Sequence, residues 1–311
     1  MDFLKNVQKG GNQLYQYIFT IVFIIIGYII GQVPMFALIL YRMETNIDYG
    51  KDELDRFSKN PDFQLFGIDR NIGFVLILMT FVGAMSALLL SIKFIHKRNW
   101  KSLFSFTEKI DFSRILWSSA LWFCLLLFFE IIMINMYPET YSLRMPGIDF
   151  IFLLLISLVI LPIQTSFEEL LVRGYIFQFA GYNLKSPIGG YIISILVFAA
   201  LHLANPEIDK YGLYEMLSFY LIAGIILGAI VIFDNRIELA IGVHTATNVF
   251  GSLFVTYKGA AIQTNSIYEV LTINPVLQAL EFLGLGLLFV ALAYRKYKWN
   301  FNNFKLFDKS E

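Results

Sequence analysis

Charge is scarce in this chain. Of 311 residues only 15% are charged and 57% are hydrophobic, whereas a soluble domain carries about 25% charged residues. That balance excludes an ordinary water-soluble domain. Neither sign is in excess, with 24 Lys+Arg against 24 Asp+Glu, so no global field draws the chain to nucleic acid. Cysteine is all but missing. Cys124 stands alone inside an apolar run, which excludes an internal disulfide. Apolar surroundings raise a thiol pKa, so Cys124 makes a poor nucleophile and reads as a small core residue. Histidine occurs only three times. No HExxH pair is present, so the usual zinc-protease helix is excluded.

Long apolar runs are what the chain has instead. A membrane span needs about 20 mainly apolar residues. Eight candidate runs meet or approach this: 17–40, 71–95, 115–137, 149–182, 187–204, 214–233, 237–256 and 275–294. The predicted fold is therefore all-α, a polytopic membrane helix bundle of about eight transmembrane helices embedded in a lipid bilayer. The first run follows Lys5 and Lys9, is longer than a signal-peptide core of about 7–15 residues and lacks a cleavage site, so it reads as a retained span. The fourth is too long for one simple span and contains Pro162. It should kink there or project beyond the bilayer.

The chain divides into N-terminal spans (1–148), a polar core region (149–256) and a last span with a basic, aromatic tail (257–311). The stretch 41–70 mixes five basic and seven acidic residues and reads as a solvated or interfacial segment. The alternating tail from Tyr294 onward reads as an interfacial anchor. Connections on one side hold 15 Lys and Arg against 8 on the other, Arg173 excepted from the total of 24. Both termini are thus expected in the cytoplasm, in the plasma membrane if the host is bacterial.

Ionisable residues inside the runs stand out. A charge at a span centre costs roughly 2.5–3.5 kcal/mol on insertion scales, so such residues must pair, line water or serve function. "EELLVRG" (168–174) carries Glu168, Glu169 and Arg173. Glu169 and Arg173 are four apart, on one helical face, and can pair. Glu168 points about 100° away and is left free. In "FAALH", Phe198 and His202 share a face; in "HTATN", His244 and Asn248 do. Glu168 and His202 lie at similar distances from the turn between them, and His244 joins their level if the fourth helix and its neighbour project roughly 10 Å into the cytoplasm. His96, among Lys93, Lys97 and Arg98, reads as part of a basic collar. Glu130, alone in an apolar run, is expected to line a cavity, pair with another helix or sit near the outer interface.

A carboxylate with imidazoles can activate water. Glu168 is placed to take its proton with help from His202, and His244 and Asn248 to bind an oxyanion on an amide carbonyl. A second option is zinc on Glu168, His202 and His244, with an open position. The residues leave both a metal-bound and a Glu/His-activated water open, and require no cofactor.

In order and spacing the three motifs resemble those of the CPBP family, the membrane proteases related to CAAX prenyl endopeptidases and also called Abi. The resemblance covers about residues 150–255. It implies a helical bundle whose site opens to the cytoplasm and whose substrate is a peptide or protein in or at the membrane. It also implies Glu168 as base with His202, His244 and Asn248 as oxyanion ligands, and Glu169 and Arg173 in support. Val172 departs from the phenylalanine usual before the motif's arginine. Metalloprotease labels attach to the family. Competing readings are a non-catalytic scaffold or bacteriocin self-immunity protein on this fold, and a transporter. Intact motifs argue against the first. Confinement of the polar residues to one half argues against the second.

Overall fold

The computed structural model describes residues 1–145, 147–261 and 263–299. A 3-10 helix, Asp2–Lys9, leads into α1 (Leu14–Thr45), α2 (Lys51–Lys59), α3 (Arg70–Phe94) and α4 (Phe112–Met136). A rod follows, built of α5 (Asp149–Val159), α6 (Leu161–Glu169), a π-helical segment (Leu170–Ile176) and α7 (Phe177–Asn183). Then come α8 (Pro187–Leu201), α9 (Pro206–Tyr211), α10 (Leu213–Asp234), α11 (Glu238–Leu253) and α12 (Pro275–Tyr297). Among the described residues six units are long and apolar enough to cross a membrane: α1, α3, α4, the rod, α10 and α12. The chain is an integral membrane helix bundle. The runs at 187–204 and 237–256 also form helices, but α8 has 15 residues and α11 has 16, short of the length a span needs.

Close helix crossings explain several glycines. Gly27 and Gly31 on α1 meet Gly83 on α3. A Cβ on Gly27 would lie 2.6 Å from the Gly83 carbonyl oxygen, so only small residues let these backbones approach. α4 and α11 meet in the same way. A Cβ on Gly242 would lie 2.5 Å from the Ile115 carbonyl oxygen, and Ser119 Oγ donates to the Gly242 carbonyl at 3.0 Å. Trp122 Nε1 donates to Thr247 Oγ1 at 2.8 Å one turn further on.

The rod departs from a plain helix in two places. It breaks at Ile160, just before Pro162, whose nitrogen has no proton to give to the ladder. It then widens into the π segment, closed by an i→i−5 bond from Phe177 N–H to the Val172 carbonyl. The rod also extends beyond its neighbours. Ile237 N–H donates to the Phe104 carbonyl at 3.1 Å, and the adjoining Leu103 carbonyl abuts Gly174. The α10–α11 turn therefore lies level with Gly174, and the rod runs on for nine residues to Asn183, about 14 Å. The N-terminal 3-10 helix and the 95–110 loop wrap this extension. Asn6 and Gln178 both donate to the Ser102 carbonyl, and Leu4 packs against Gly181.

Two expectations are corrected. His96 is no solvated collar. It is fully buried, with Nδ1 donating to the Gly11 carbonyl at 2.8 Å and Nε2 accepting from Tyr175 OH at 2.8 Å. Cys124 is exposed on the outer face of α4 and is not a core residue. The 41–70 stretch is folded: α2 and a 3-10 turn, Phe63–Phe66, pack Phe57, Phe63 and Phe66 against Ile39. An all-α reading also misses a small sheet of β1 (Tyr141–Leu143), β2 (Val255–Tyr257) and β3 (Tyr268–Val270), ordered β1-β3-β2. β1 is antiparallel to β3 with Tyr141 opposite Val270, and β2 is parallel to it with Val255 opposite Tyr268. The sheet caps the end of the bundle opposite the N-terminus, beside 41–70, where Arg70 Nη1 donates to Asn265 Oδ1 at 3.0 Å. The anchor expected at the C-terminus lies largely outside the described residues. Its first turn is seen in α12, where the Lys296 ammonium sits 5.0 Å from the Trp117 ring centre.

Candidate active site

Glu168 and Glu169 end α6, and Arg173 lies in the π segment. All three descend from one rod, and the wider turn lets it carry an ion pair and a separate acid together. Arg173 Nη1 donates to Glu169 Oε1 at 2.9 Å, with both side chains fully buried. The i, i+4 pairing read from the sequence is therefore formed. The same Glu169 oxygen accepts from His244 Nδ1 at 2.9 Å. Glu169 thus does more than hold its own helix: it orients the imidazole on α11.

His244 turns its other nitrogen to the first glutamate, with Nε2 3.5 Å from Glu168 Oε2. Glu168 retains 13% side-chain exposure and His244 8%. Glu168 Oε2 has no hydrogen-bond partner, whereas Oε1 accepts from Gln164 Nε2 at 2.5 Å. Gln164 Oε1 in turn accepts from Asn248 Nδ2 at 3.0 Å. Asn248 therefore joins the site through an amide that sequence reading passed over. The available signal was its spacing, four residues before Glu168 and so on the same helical face.

His202 closes the cluster from α8. It does not lie inside the helix, as the 187–204 run suggested, but caps it just after Leu201. The last carbonyls of a helix lack intrahelical partners. His202 Nδ1 donates to one of them, Phe198 O, at 2.7 Å. Its ring stacks on Tyr220 of α10 at 4.4 Å between centres, and Tyr220 OH accepts from Asn205 Nδ2 at 3.0 Å. His202 lies within electrostatic reach of both Glu168 and His244. Phe198 forms a shared aromatic floor. Its centre is 4.2 Å from the Arg173 guanidinium carbon, 4.5 Å from the His202 ring and 6.0 Å from the His244 ring. A desolvated cation over such a face gains about 2 kcal/mol, which helps retain Arg173 where its Nε and Nη2 find no acceptor.

The fit to a metal can be judged from the donors. Among the described residues no group of three or more His, Cys, Asp or Glu is arranged to hold a metal ion. His202 Nδ1 and His244 Nδ1 are already committed, which leaves Nε2 of each ring and Glu168 Oε2, 3.5 Å from His244 Nε2, as the donors that zinc would use. Two apolar cavities, of about 280 and 350 Å³, have none of these residues in their walls. The first is bordered by Glu130, Phe250 and Phe254, so Glu130 does line a cavity, away from the cluster.

Comparison with known proteins gives a family for this part of the chain. Residues 147–250 match the model of the type II CAAX prenyl endopeptidase Rce1-like family, a protease family, which bears out the CAAX-protease resemblance for the core of the chain. The match spans the rod, α8 and α10 and nearly all of α11, and so every residue of the cluster. The chain is also 28% identical to the uncharacterized protein YyaK of Bacillus subtilis (strain 168) over 299 residues, covering 95% of this chain and 96% of that one. No solved structure matches it significantly.

Proposed function

We propose, on the premise that residues 147–250 form a CAAX-protease core, that the protein is an intramembrane endopeptidase. Its substrate is a peptide or protein cut near its C-terminus or at the membrane edge. The observation that carries this reading is the buried Glu168–His244 contact, braced by Glu169 and Arg173 and joined through Gln164 to Asn248.

The hydrogen bonds assign the protons. His202 Nδ1–H is given to a carbonyl, so in the neutral ring Nε2 carries a lone pair that can hold water. Glu168 takes the water's proton as its oxygen attacks the scissile carbonyl carbon. His244 already donates Nδ1–H to Glu169. To donate from Nε2 to the oxyanion it must carry both protons, and the Glu169 carboxylate stabilises that form. Asn248 supplies a second donor. Glu168 then returns the proton to the leaving nitrogen as the C–N bond breaks. No step is routed through a metal. Activity is expected to survive chelation, and activity lost on chelation and regained with zinc would reverse this assignment.

The lysine and arginine bias supports cytoplasmic termini, and the Bacillus relative supports a bacterial plasma membrane. The test is cleavage of fluorogenic CAAX peptides, farnesylated and unmodified, by the purified protein, with membrane-wide proteomics of cells carrying wild type or Glu168→Gln. Glu168→Gln is expected to lose about 10²–10⁴-fold in kcat and to accumulate uncut substrate in cells. Unchanged cellular function in Glu168→Gln would instead support the scaffold reading.

A further inference from the structure

We propose that Gln164 is a positioning residue that couples the general base to the oxyanion-binding amide. The proposal rests on the hydrolase reading above. Gln164 is buried, 5% exposed, and lies one turn before Glu168 in α6. A side-chain amide has one donating end and one accepting end, while an ionised carboxylate only accepts. Nε2 must therefore face Glu168 and Oε1 must face Asn248, which is the arrangement found, at 2.5 and 3.0 Å. The result is a directional chain: Asn248 donates to Gln164, and Gln164 donates to Glu168.

Two geometric consequences follow. Glu168 Oε1 is claimed, so the carboxylate cannot swing freely, and its unclaimed lone pairs are on Oε2, beside His244 Nε2. The Asn248 amide is held with Nδ2 toward Gln164, which leaves its second Nδ2 hydrogen for an oxyanion. A third consequence is energetic. Hydrogen bonds in series polarise one another at low dielectric. Negative charge on Glu168 strengthens the pull of Gln164 on Asn248. When Glu168 takes the proton from water that pull slackens, at the step in which the oxyanion needs the Asn248 donor.

The experiment is steady-state cleavage of whichever CAAX peptide the wild type cuts, with thermal unfolding of each variant. Gln164→Met keeps the length and removes both bonds. Gln164→Glu keeps the shape and an acceptor for Asn248, and sets a second acceptor against Glu168. Both are expected to lower kcat about 10–100-fold, the usual scale for residues that orient a reacting group, with KM within about twofold. In an Asn248→Ala background, Gln164→Met should cost less than about threefold further, since residues acting as a unit are not additive. Normal kcat in Gln164→Met alongside an inactive Glu168→Gln would overturn the inference and leave the hydrolase reading standing. A full, additive loss on top of Asn248→Ala would also overturn it. If Gln164→Met does not fold, the isosteric Gln164→Glu decides: normal kcat overturns the proposal. An active Glu168→Gln would instead remove the hydrolase reading itself.

Discussion

Glu168 and Glu169 are chemically identical neighbours that the fold makes into different devices. Glu169 is fully buried and shared between Arg173 and His244. Removing one partner of a buried pair strands the other charge, at about 3–5 kcal/mol. Glu169→Gln should therefore lower stability by about that amount and reduce kcat as well, because His244 and Arg173 lose their carboxylate partner. Glu168 has no Lys or Arg on its free oxygen, which faces His244 Nε2 at 3.5 Å, and it keeps some exposure. Glu168→Gln should unfold within a few tenths of a kcal/mol of wild type while losing activity. Denaturation in detergent beside peptide cleavage checks the pair. Equal destabilisation by both changes would remove the division of roles.

Among the elements, α9 is a short helix with a buried acid. Glu207, 4% exposed, accepts from Ala261 N–H and Tyr257 OH, and so ties the α8–α10 connection to the segment after β2. Burial pushes its carboxyl above the usual carboxylate range, and those two bonds only partly oppose the rise. The folded state therefore binds the proton more tightly than the unfolded chain. Its contribution is fully present below the unfolded pKa of about 4.3 and is lost as pH rises through the folded value. Glu207→Gln keeps an acceptor for both donors and removes the titration. From pH 5 to pH 8 the wild-type Tm should fall relative to that of Glu207→Gln. A gap between the two that does not change with pH would sink the assignment. The π segment is the other decisive element. It begins directly after Glu168 and Glu169 and contains Arg173, in keeping with the tendency of π-bulges to mark functional sites.

At the scale of the molecule, the site's depth depends on the rod extending past its neighbours. With Cys124→Ser as background, single cysteines at Phe179, Tyr182 and Asn183 should react with an impermeant thiol reagent from the side that holds the N-terminus. One at Leu158 should not. Equal protection at all four positions would mean that the rod stays within the bilayer. The two ends of the bundle also differ in construction. The N-terminal helix and the 95–110 loop clasp the extended rod, whereas the sheet and the folded 41–70 segment close the opposite end.

Sequence alone determined the helical membrane character, because hydropathy over 20 residues is a local sum. It also singled out the residues of the cluster, because a charge or imidazole in an apolar run is costly wherever the run packs. The Glu169–Arg173 pair was legible from helical spacing. What only the tertiary structure decided were contacts between distant segments: Glu169 turning to His244 across 75 residues, and Gln164 reaching Asn248 across 84. The burial of His96 by Gly11 and Tyr175, the outward face of Cys124, and a sheet joining strands more than a hundred residues apart belong with them. Local pattern fixes which groups must be satisfied. Which partner satisfies them depends on where the chain returns, and that is set by the packing of the whole bundle.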